Sequence, residues 1–312
     1  MSAMDQTPDL ASGPSLASGP SLASGPSLAS GPSLASGKGH KDENFPVASF
    51  IIKPRHRAVV MAFYRFARKG DDVADHPTET PATKLALLEQ MRATLAGESD
   101  VDAEALALRR EQDARGLTGE HGLDLLEAFR RDVTKTRYAD WGELIDYCRH
   151  SAMPVGRFVL DVHGEDRALW PANDALCAAL QVINHLQDCG KDLAALDRVY
   201  VPADALAAGG CTVADIAAPK ASAALRAVIA GLAEKTWTLL DQSRPFAAGI
   251  KDARLAYEVA AIQRLAEDLT RKLMHRDPLS ERVHHTRFET LGLLALAAKD
   301  RLVGRTGAQR AA

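Results

Sequence analysis

Two sets of side chains in this 312-residue chain have the types and spacing for chemistry. The first lies in Met61-Ala-Phe-Tyr-Arg-Phe-Ala-Arg-Lys-Gly-Asp-Asp-Val-Ala-Asp75. On a helix, Asp71 and Asp75 fall one turn apart with Asp72 beside them, and Arg68 falls a turn earlier near Tyr64. The second lies in Gln181-Val-Ile-Asn-His-Leu-Gln-Asp-Cys-Gly-Lys-Asp192. There Asn184, Asp188 and Asp192 form a polar stripe, while Val182, Ile183 and Leu186 turn toward neighbouring helices. Like charges one turn apart repel, so a helix keeps them where solvent or a cation neutralises them. One such motif alone is ordinarily a solvated acidic face. Two, on separate helical segments, point to hard oxygen donors for Mg²⁺, which binds through few carboxylates plus waters and substrate phosphates.

The chemistry that fits is ionisation of a diphosphate. A pyrophosphate leaving group departs when bridging Mg²⁺ and nearby Arg or Lys neutralise its developing charge, and carboxylates facing each other from two helices can hold those ions. The carbocation left behind needs a dry, apolar and partly aromatic pocket, because water or a misplaced base would quench it early.

The elements that must position these groups are helices. From about residue 41 the sequence runs in Ala/Leu/Arg/Glu stretches of period near 3.6, broken by short Gly/Pro/Asp punctuation. The pattern predicts helices over 54–75, 81–97, 101–115, 120–132, 140–162, 171–193, 220–247, 250–275 and 285–302, with Pro154 kinking or breaking the fifth. Alternating apolar/polar runs are almost absent, so the expected fold is all-α, a single large bundle over 41–312. Ahead of it, Leu-Ala-Ser-Gly-Pro-Ser repeats from Leu10, Leu16, Leu22 and Leu28, with a truncated copy over 34–37. One Leu per Gly-Pro unit cannot bury enough surface to offset chain entropy, so residues 1–40 are expected to be a disordered tail. A Pro in every unit argues against a β-solenoid.

Composition narrows the partners. A net charge of -3 and a pI near 6.4 give no basic field for a phosphate backbone, so no nucleic-acid partner is expected and an anionic ligand must be held locally. Cys148, Cys177, Cys189 and Cys211 stand at wide spacings without a CxxC pair, as expected of free thiols in a reducing compartment, and zinc is not indicated. No stretch approaches the ~20 apolar residues of a spanning helix, and no signal peptide is visible. The expected location is cytoplasmic, with peripheral contact at the inner membrane left open by a greasy substrate.

Tyr64-Arg65-Phe66-Ala67-Arg68 leading into Asp71-Asp72-Val73-Ala74-Asp75, with Gln181, Asn184, Asp188, Asp192 and then Asp197-Arg-Val-Tyr-Val-Pro202, resembles the squalene/phytoene synthases, the head-to-head prenyl synthases. The resemblance covers roughly residues 41–303. Within that family, Glu43-Asn-Phe-Pro-Val-Ala-Ser49, Asp132-Val-Thr-Lys-Thr-Arg-Tyr138, Tyr147-Cys-Arg-His-Ser-Ala-Met-Pro-Val-Gly156 and Asn184-His-Leu-Gln-Asp188 resemble the hopanoid-pathway members that convert presqualene diphosphate to hydroxysqualene. The resemblance implies an isoprenoid-synthase helical bundle with a central cavity. It also implies Mg²⁺ held by Asp71 and Asp75, with Asp72 taking part, on one wall, and by Asn184, Asp188 and Asp192 on the other. Arg68 and Arg198 would contact diphosphate oxygens, Gln181 would line the site, Tyr64 and Tyr200 would face the reacting carbons, and Arg282 would be a further diphosphate contact. Members that condense two prenyl diphosphates tend to have serines and a lysine near the first helix, where this chain has Asp42, Glu43 and Asn44.

Three functions compete at this stage. The first is ionisation of presqualene diphosphate with water capture. The second is condensation of two farnesyl or geranylgeranyl diphosphates to presqualene diphosphate, squalene or phytoene. The third is a non-catalytic helical scaffold, disfavoured because nothing would maintain its mutually repelling carboxylates. His150 and His185 fall inside the motif segments and would position water or relay a proton, although a helical histidine is more often hydrogen-bonded structure. Tyr138 and Trp141 fit the pocket or the core equally well. Lys135 and Arg137 suit a helix C-terminus without any function, and the resemblance raises them to substrate contacts.

Overall fold

The computed structural model describes residues 53–310, with side chains through 299. The repeat over 1–40 and the Asp42, Glu43 and Asn44 departure lie outside the described residues. All of these residues fall in one unit spanning Leu34–Ala312.

Helix α1 (Pro54–Ala74) has Pro at its first position, where the missing N–H would be unsatisfied anyway. It packs with α2 (Pro81–Leu95), α3 (Ala103–Asp113) and α4 (Glu120–Thr134) around Phe66, Leu88, Met91, Leu108, Leu125 and Leu126. Phe66 is fully buried, so cutting it to Ala would cost about 3–5 kcal/mol. Gly70 sits where α1 passes closest to α4: a Cβ there would lie 2.5 Å from the Phe129 ring. That approach brings the acidic end of α1 beside the end of α4.

The second core is built on the longest apolar helix, α7 (Trp170–Leu196), flanked by α5 (Trp141–Ser151), α6 (Met153–His163), α10 (Ala223–Ser243) and α12 (Ala253–His275). Val182, Ile183 and Leu186 point into it as their spacing requires, against Leu225, Leu232 and Leu269. Between α7 and α10 lie the short α8 (Ala203–Ala208) and α9 (Val213–Ile216). After α10 come α11 (Phe246–Gly249), then α12 and α13 (Arg287–Arg310). The described residues contain no strand, only an isolated parallel bridge between Arg137 and Val199.

The expected helix over 140–162 is two helices. The break is at Ala152, and Pro154 sits in the first turn of α6, where its ring and missing donor are tolerated. The run expected over 220–247 likewise ends at Ser243 and resumes as the single turn of α11. Helices α8 and α9 are too short to show a period and escape pattern reading. All four cysteines are free thiols.

Candidate active site

Helix α7 ends on Asp197, whose φ of 51° and ψ of 32° are left-handed, a conformation Asp tolerates better than most residues. Arg137 fixes this turn: it donates to the Asp197 carbonyl and, at 2.6 Å, to the Asp197 carboxylate. The turned chain then runs beside residues 136–138, with Val199 N donating to Thr136 O at 2.9 Å. Arg198 is thereby driven inward and buried.

Arg198 joins what sequence separates. Its Nη1 lies 2.7 Å from Asp75 Oδ1 at the end of α1, and its Nη2 donates to the Asp132 carbonyl of α4 at 3.0 Å. Asp132 Oδ2 accepts from Tyr147 OH of α5 at 3.0 Å. The Tyr147 ring lies 5.3 Å from Tyr138 and 5.6 Å from Tyr200, and Tyr138 and Tyr200 stack at 5.4 Å. His185 of α7 stacks on Tyr200 at 3.4 Å and 13°, with Gln181 Nε2 3.0 Å from His185 Nε2. The result is a buried aromatic wall beside a buried guanidinium.

Charge in this neighbourhood is not balanced. Burial pushes the Asp132 carboxyl up to about 7, against the opposing pull of Arg198 and Tyr147. Burial, then the Asp188 charge, lifts Asp192 to about 7 as well, and Asp75 adds to the rise. Carboxylates of α1 and α7 therefore act on one another across the site. Burial opposes the charge on Arg198, but the Asp132 and Asp75 carboxylates outweigh it and hold the cation. His185 Nδ1 stands 4.0 Å from Asp192, which is not an ion pair, because burial and then Arg198 lower the imidazole to about 3 and keep it neutral. Asp75 Oδ1, Asp132 Oδ1 and Tyr138 OH are buried without an aligned hydrogen-bond partner among the described residues. Asp75 Oδ1 is close to Arg198 but out of line for a hydrogen bond.

The outer acids are held by local cations. Arg68 pairs with Asp72 at 2.7 Å and Asp71 at 3.3 Å, and Lys191 with Asp188 at 2.5 Å. Tyr64 is half-buried one turn before Arg68. Asn184 is half-buried on α7 between Gln181 and Asp188. Arg282 is exposed on the α12–α13 connection, whose next residue, Val283, accepts a hydrogen bond from Gln187 beside Asp188.

Other expectations separate from this cluster. His150 faces Asp124 at 3.9 Å, Lys135 pairs with Glu143, and Arg137 is spent on the Asp197 turn. Sequence reasoning gave Asp132 and Tyr147 no role, and the signal for them was weak: each is one polar residue in an amphipathic helix. Among the described residues, a group of potential ligand atoms lying within 4.8 Å of one another is elsewhere, at Glu120, His121 and Asp161. A surface pocket between α10, α11 and α12 includes Arg244, Gln263 and Glu267 and no motif residue.

Two helices present acids across a buried arginine and an aromatic wall in an all-α bundle, an arrangement suited to an anionic ligand with an apolar body. The squalene/phytoene synthase family model matches residues 38–289, and the chain belongs to that family. It is 58% identical to a hydroxysqualene synthase of Zymomonas mobilis over 85% of this chain and 90% of that one. It is 56% identical to a hydroxysqualene synthase of Rhodopseudomonas palustris over 79% of this chain and 85% of that one. The crystal structure of a squalene synthase from Alicyclobacillus acidocaldarius superposes with a TM-score of 0.65 at 36% identity, covering 74% of this chain and 87% of that one. The protein is an enzyme acting on prenyl diphosphates.

Proposed function

We propose that this enzyme ionises presqualene diphosphate and captures the cation with water, giving hydroxysqualene and diphosphate. One carbon–oxygen bond to diphosphate breaks, one forms to a water oxygen, and one proton is released. The observation that carries the choice of product is the 58% identity to a hydroxysqualene synthase along nearly the whole of both chains.

The chain's own groups suit each part of the step. Arg198 and Arg68 bind diphosphate oxygens, Arg198 from a buried position where its charge is little screened. Arg282 meets the diphosphate from the α12–α13 connection, and Gln181 lines the site. Tyr200 and Tyr64 face the reacting carbons, with Tyr138 and Tyr147 extending the π surface that favours a cation without adding a nucleophile. Neutral His185, stacked on Tyr200, leaves the wall uncharged. Asn184 orients the water that ends the reaction.

The residues present fit Mg²⁺, the divalent ion we assign to the site. Asp71, Asp72 and Asp75 on α1 and Asn184, Asp188 and Asp192 on α7 are all hard oxygen donors, and burial together with the Asp188 and Asp75 charges raises the Asp192 carboxyl, a cost that a divalent cation would relieve. When bound, the metal would neutralise the departing diphosphate. The catalytic unit is residues 41–312, and a protein starting at Lys41 should keep its turnover and cooperative melting; loss of most of either would refute that boundary. No helix among the described residues is long and apolar enough to cross a membrane. The proposed location is cytoplasmic, with peripheral contact at the inner membrane.

Presqualene diphosphate incubated with the enzyme and Mg²⁺ in ¹⁸O-water should yield labelled hydroxysqualene by gas chromatography and mass spectrometry, with or without NADPH. Squalene formed only with NADPH, or presqualene diphosphate accumulating from farnesyl diphosphate, would replace this reading with the condensing one.

A further inference from the structure

Two polar atoms at the aromatic wall are buried without a hydrogen-bond partner among the described residues: Asp132 Oδ1, near the end of α4, and Tyr138 OH, on the connection from α4 to α5. Asp132 and Tyr138 are 9% and 2% exposed, so bulk solvent does not meet either atom. Folded chains meet such groups with protein or with ordered water, because an unmet one is costly.

The two atoms belong to one place. Tyr147 joins them: its OH donates to Asp132 Oδ2 at 3.0 Å, and its ring lies 5.3 Å from that of Tyr138. Burial, then the Asp132 charge, holds the Tyr138 hydroxyl above the usual phenol range, so it remains a neutral donor in the field of an acceptor. An unmet donor and an unmet acceptor are what one water needs, accepting from Tyr138 and donating to Asp132. Tyr138 stacks on Tyr200, the ring assigned to the reacting carbons, and Arg198 donates to the Asp132 carbonyl at 3.0 Å. Two other polar ends of the wall are engaged, Tyr147 with Asp132 and His185 with Gln181.

We infer that Tyr138 and Asp132 hold the water that captures the cation, and so decide that the product is an alcohol. The inference deepens the proposed function and rests on it. Held by these two bonds, the water keeps one lone pair free for the cationic carbon. A carbon–oxygen bond forms there, the O–H bond turned to Asp132 breaks, and its proton passes to Asp132 Oδ1. That carboxyl, raised to about 7 chiefly by burial, takes up a proton near neutral pH and returns it to solvent afterwards. Asn184, assigned to the same water, meets it from α7. Without the hold, the cation sheds a proton from a neighbouring carbon to the departed diphosphate and ends as a hydrocarbon with one more double bond.

The test is the ratio of alcohol to hydrocarbon formed by the full chain from presqualene diphosphate and Mg²⁺, read by gas chromatography and mass spectrometry. Tyr138→Phe removes the hydroxyl and keeps the ring that stacks on Tyr200. Its ratio should fall about 10-fold from that of wild type, the factor one hydrogen bond supports. Asp132→Leu should lower the ratio as well, and Asp132→Asn, which keeps an acceptor oxygen, should lower it less. The ratio counts the fate of each cation formed, so a loss of folded enzyme or a slower ionisation does not move it, and a merely structural role for Tyr138 leaves it unchanged. Wild type that makes no alcohol would refute the proposed function and this inference with it. Wild type that makes the alcohol, with Tyr138→Phe making it in the same ratio, would overturn this inference alone.

Discussion

Two places in this molecule gather acids, a histidine or arginine, and apolar walls, and they differ in how their charge is settled. At Glu120, His121 and Asp161 the ligand atoms are close enough to share an ion. Yet Arg167 already sits 2.7 Å from both carboxylates, and His121 is 3.0 Å from Asp161. His121 Nδ1 is buried there without a hydrogen-bond partner among the described residues, but both carboxylates of the cluster are met by Arg167, and Arg167 and Glu120 are half in solvent. Around Arg198 the acids are farther apart, but burial has raised Asp132 and Asp192 to about 7, whereas the acids of the other cluster face Arg167. Distance between donors thus says little about where a cation belongs. Buried negative charge that the protein's own cations do not meet says more.

The sharpest way to break this contrast is to remove metal donors from one place only. Asp71→Asn and Asp188→Asn should each lower turnover about 100-fold or more, since even second-layer partners of metal sites commonly cost 10–100-fold. Circular dichroism should be unchanged, because each substitution also relieves repulsion between neighbouring carboxylates. Excess Mg²⁺ should restore only part of the rate. Near-normal turnover in both variants, or full wild-type activity in EDTA, would remove the metal from the α1–α7 site.

A smaller effect is expected at Asp132, which touches Tyr147 and Arg198 without being a metal donor. Asp132→Asn should cost about 10-fold in turnover, by loosening Tyr147 and the arginine behind it. Its stability should move the other way. Burial lifts the folded carboxyl from 3.8 to about 7, so the folded state holds this proton more tightly than the unfolded chain. The stability this confers is complete below the unfolded value and is lost as pH rises through about 7. In EDTA at pH 8 the Asn variant should therefore melt a few degrees above wild type, and the gap should narrow at pH 5. A difference in melting temperature that does not vary with pH would show that Asp132 is not the strained group.

The helices and both acid motifs were legible in the sequence because they rest on local periodicity. Asp71 to Asp75 and Asn184 to Asp192 span about one and about two turns, and their helices are long and strongly patterned. What joins them was not legible. The Arg198 contacts to Asp132 and Asp75 span 66 and 123 residues, and they depend on a left-handed turn at Asp197 locked by Arg137. Arg198 and Tyr200 entered through family resemblance, which transmits such distant contacts without explaining them. Asp132 shows the limit: its value lies in burial and in the tyrosine packed on it, and neither leaves a periodic mark. Tyr138 fitted core or pocket equally well on sequence alone; the structure buries it in the second core, stacked on Tyr200.

The smallest effect is expected at the Arg167 cluster, and it is the control on which the contrast depends. Glu120→Gln removes one of the three candidate ligands and one partner of Arg167. If the cluster held a metal needed for activity, turnover should fall as steeply as in Asp71→Asn. If it is an ion-pair network, Arg167 keeps Asp161, and His121 keeps its contact to Asp161 and its packing between Phe158 and Trp170. The loss is then that of an exposed pair, about 0–1 kcal/mol. A melting change of a degree or two is expected, shrinking further in high salt as screening removes what the pair contributes. Turnover and its Mg²⁺ dependence should match wild type. A fall in turnover rescued by added Mg²⁺ would mean that gathered ligand atoms, and not unmet buried charge, mark the metal in this fold.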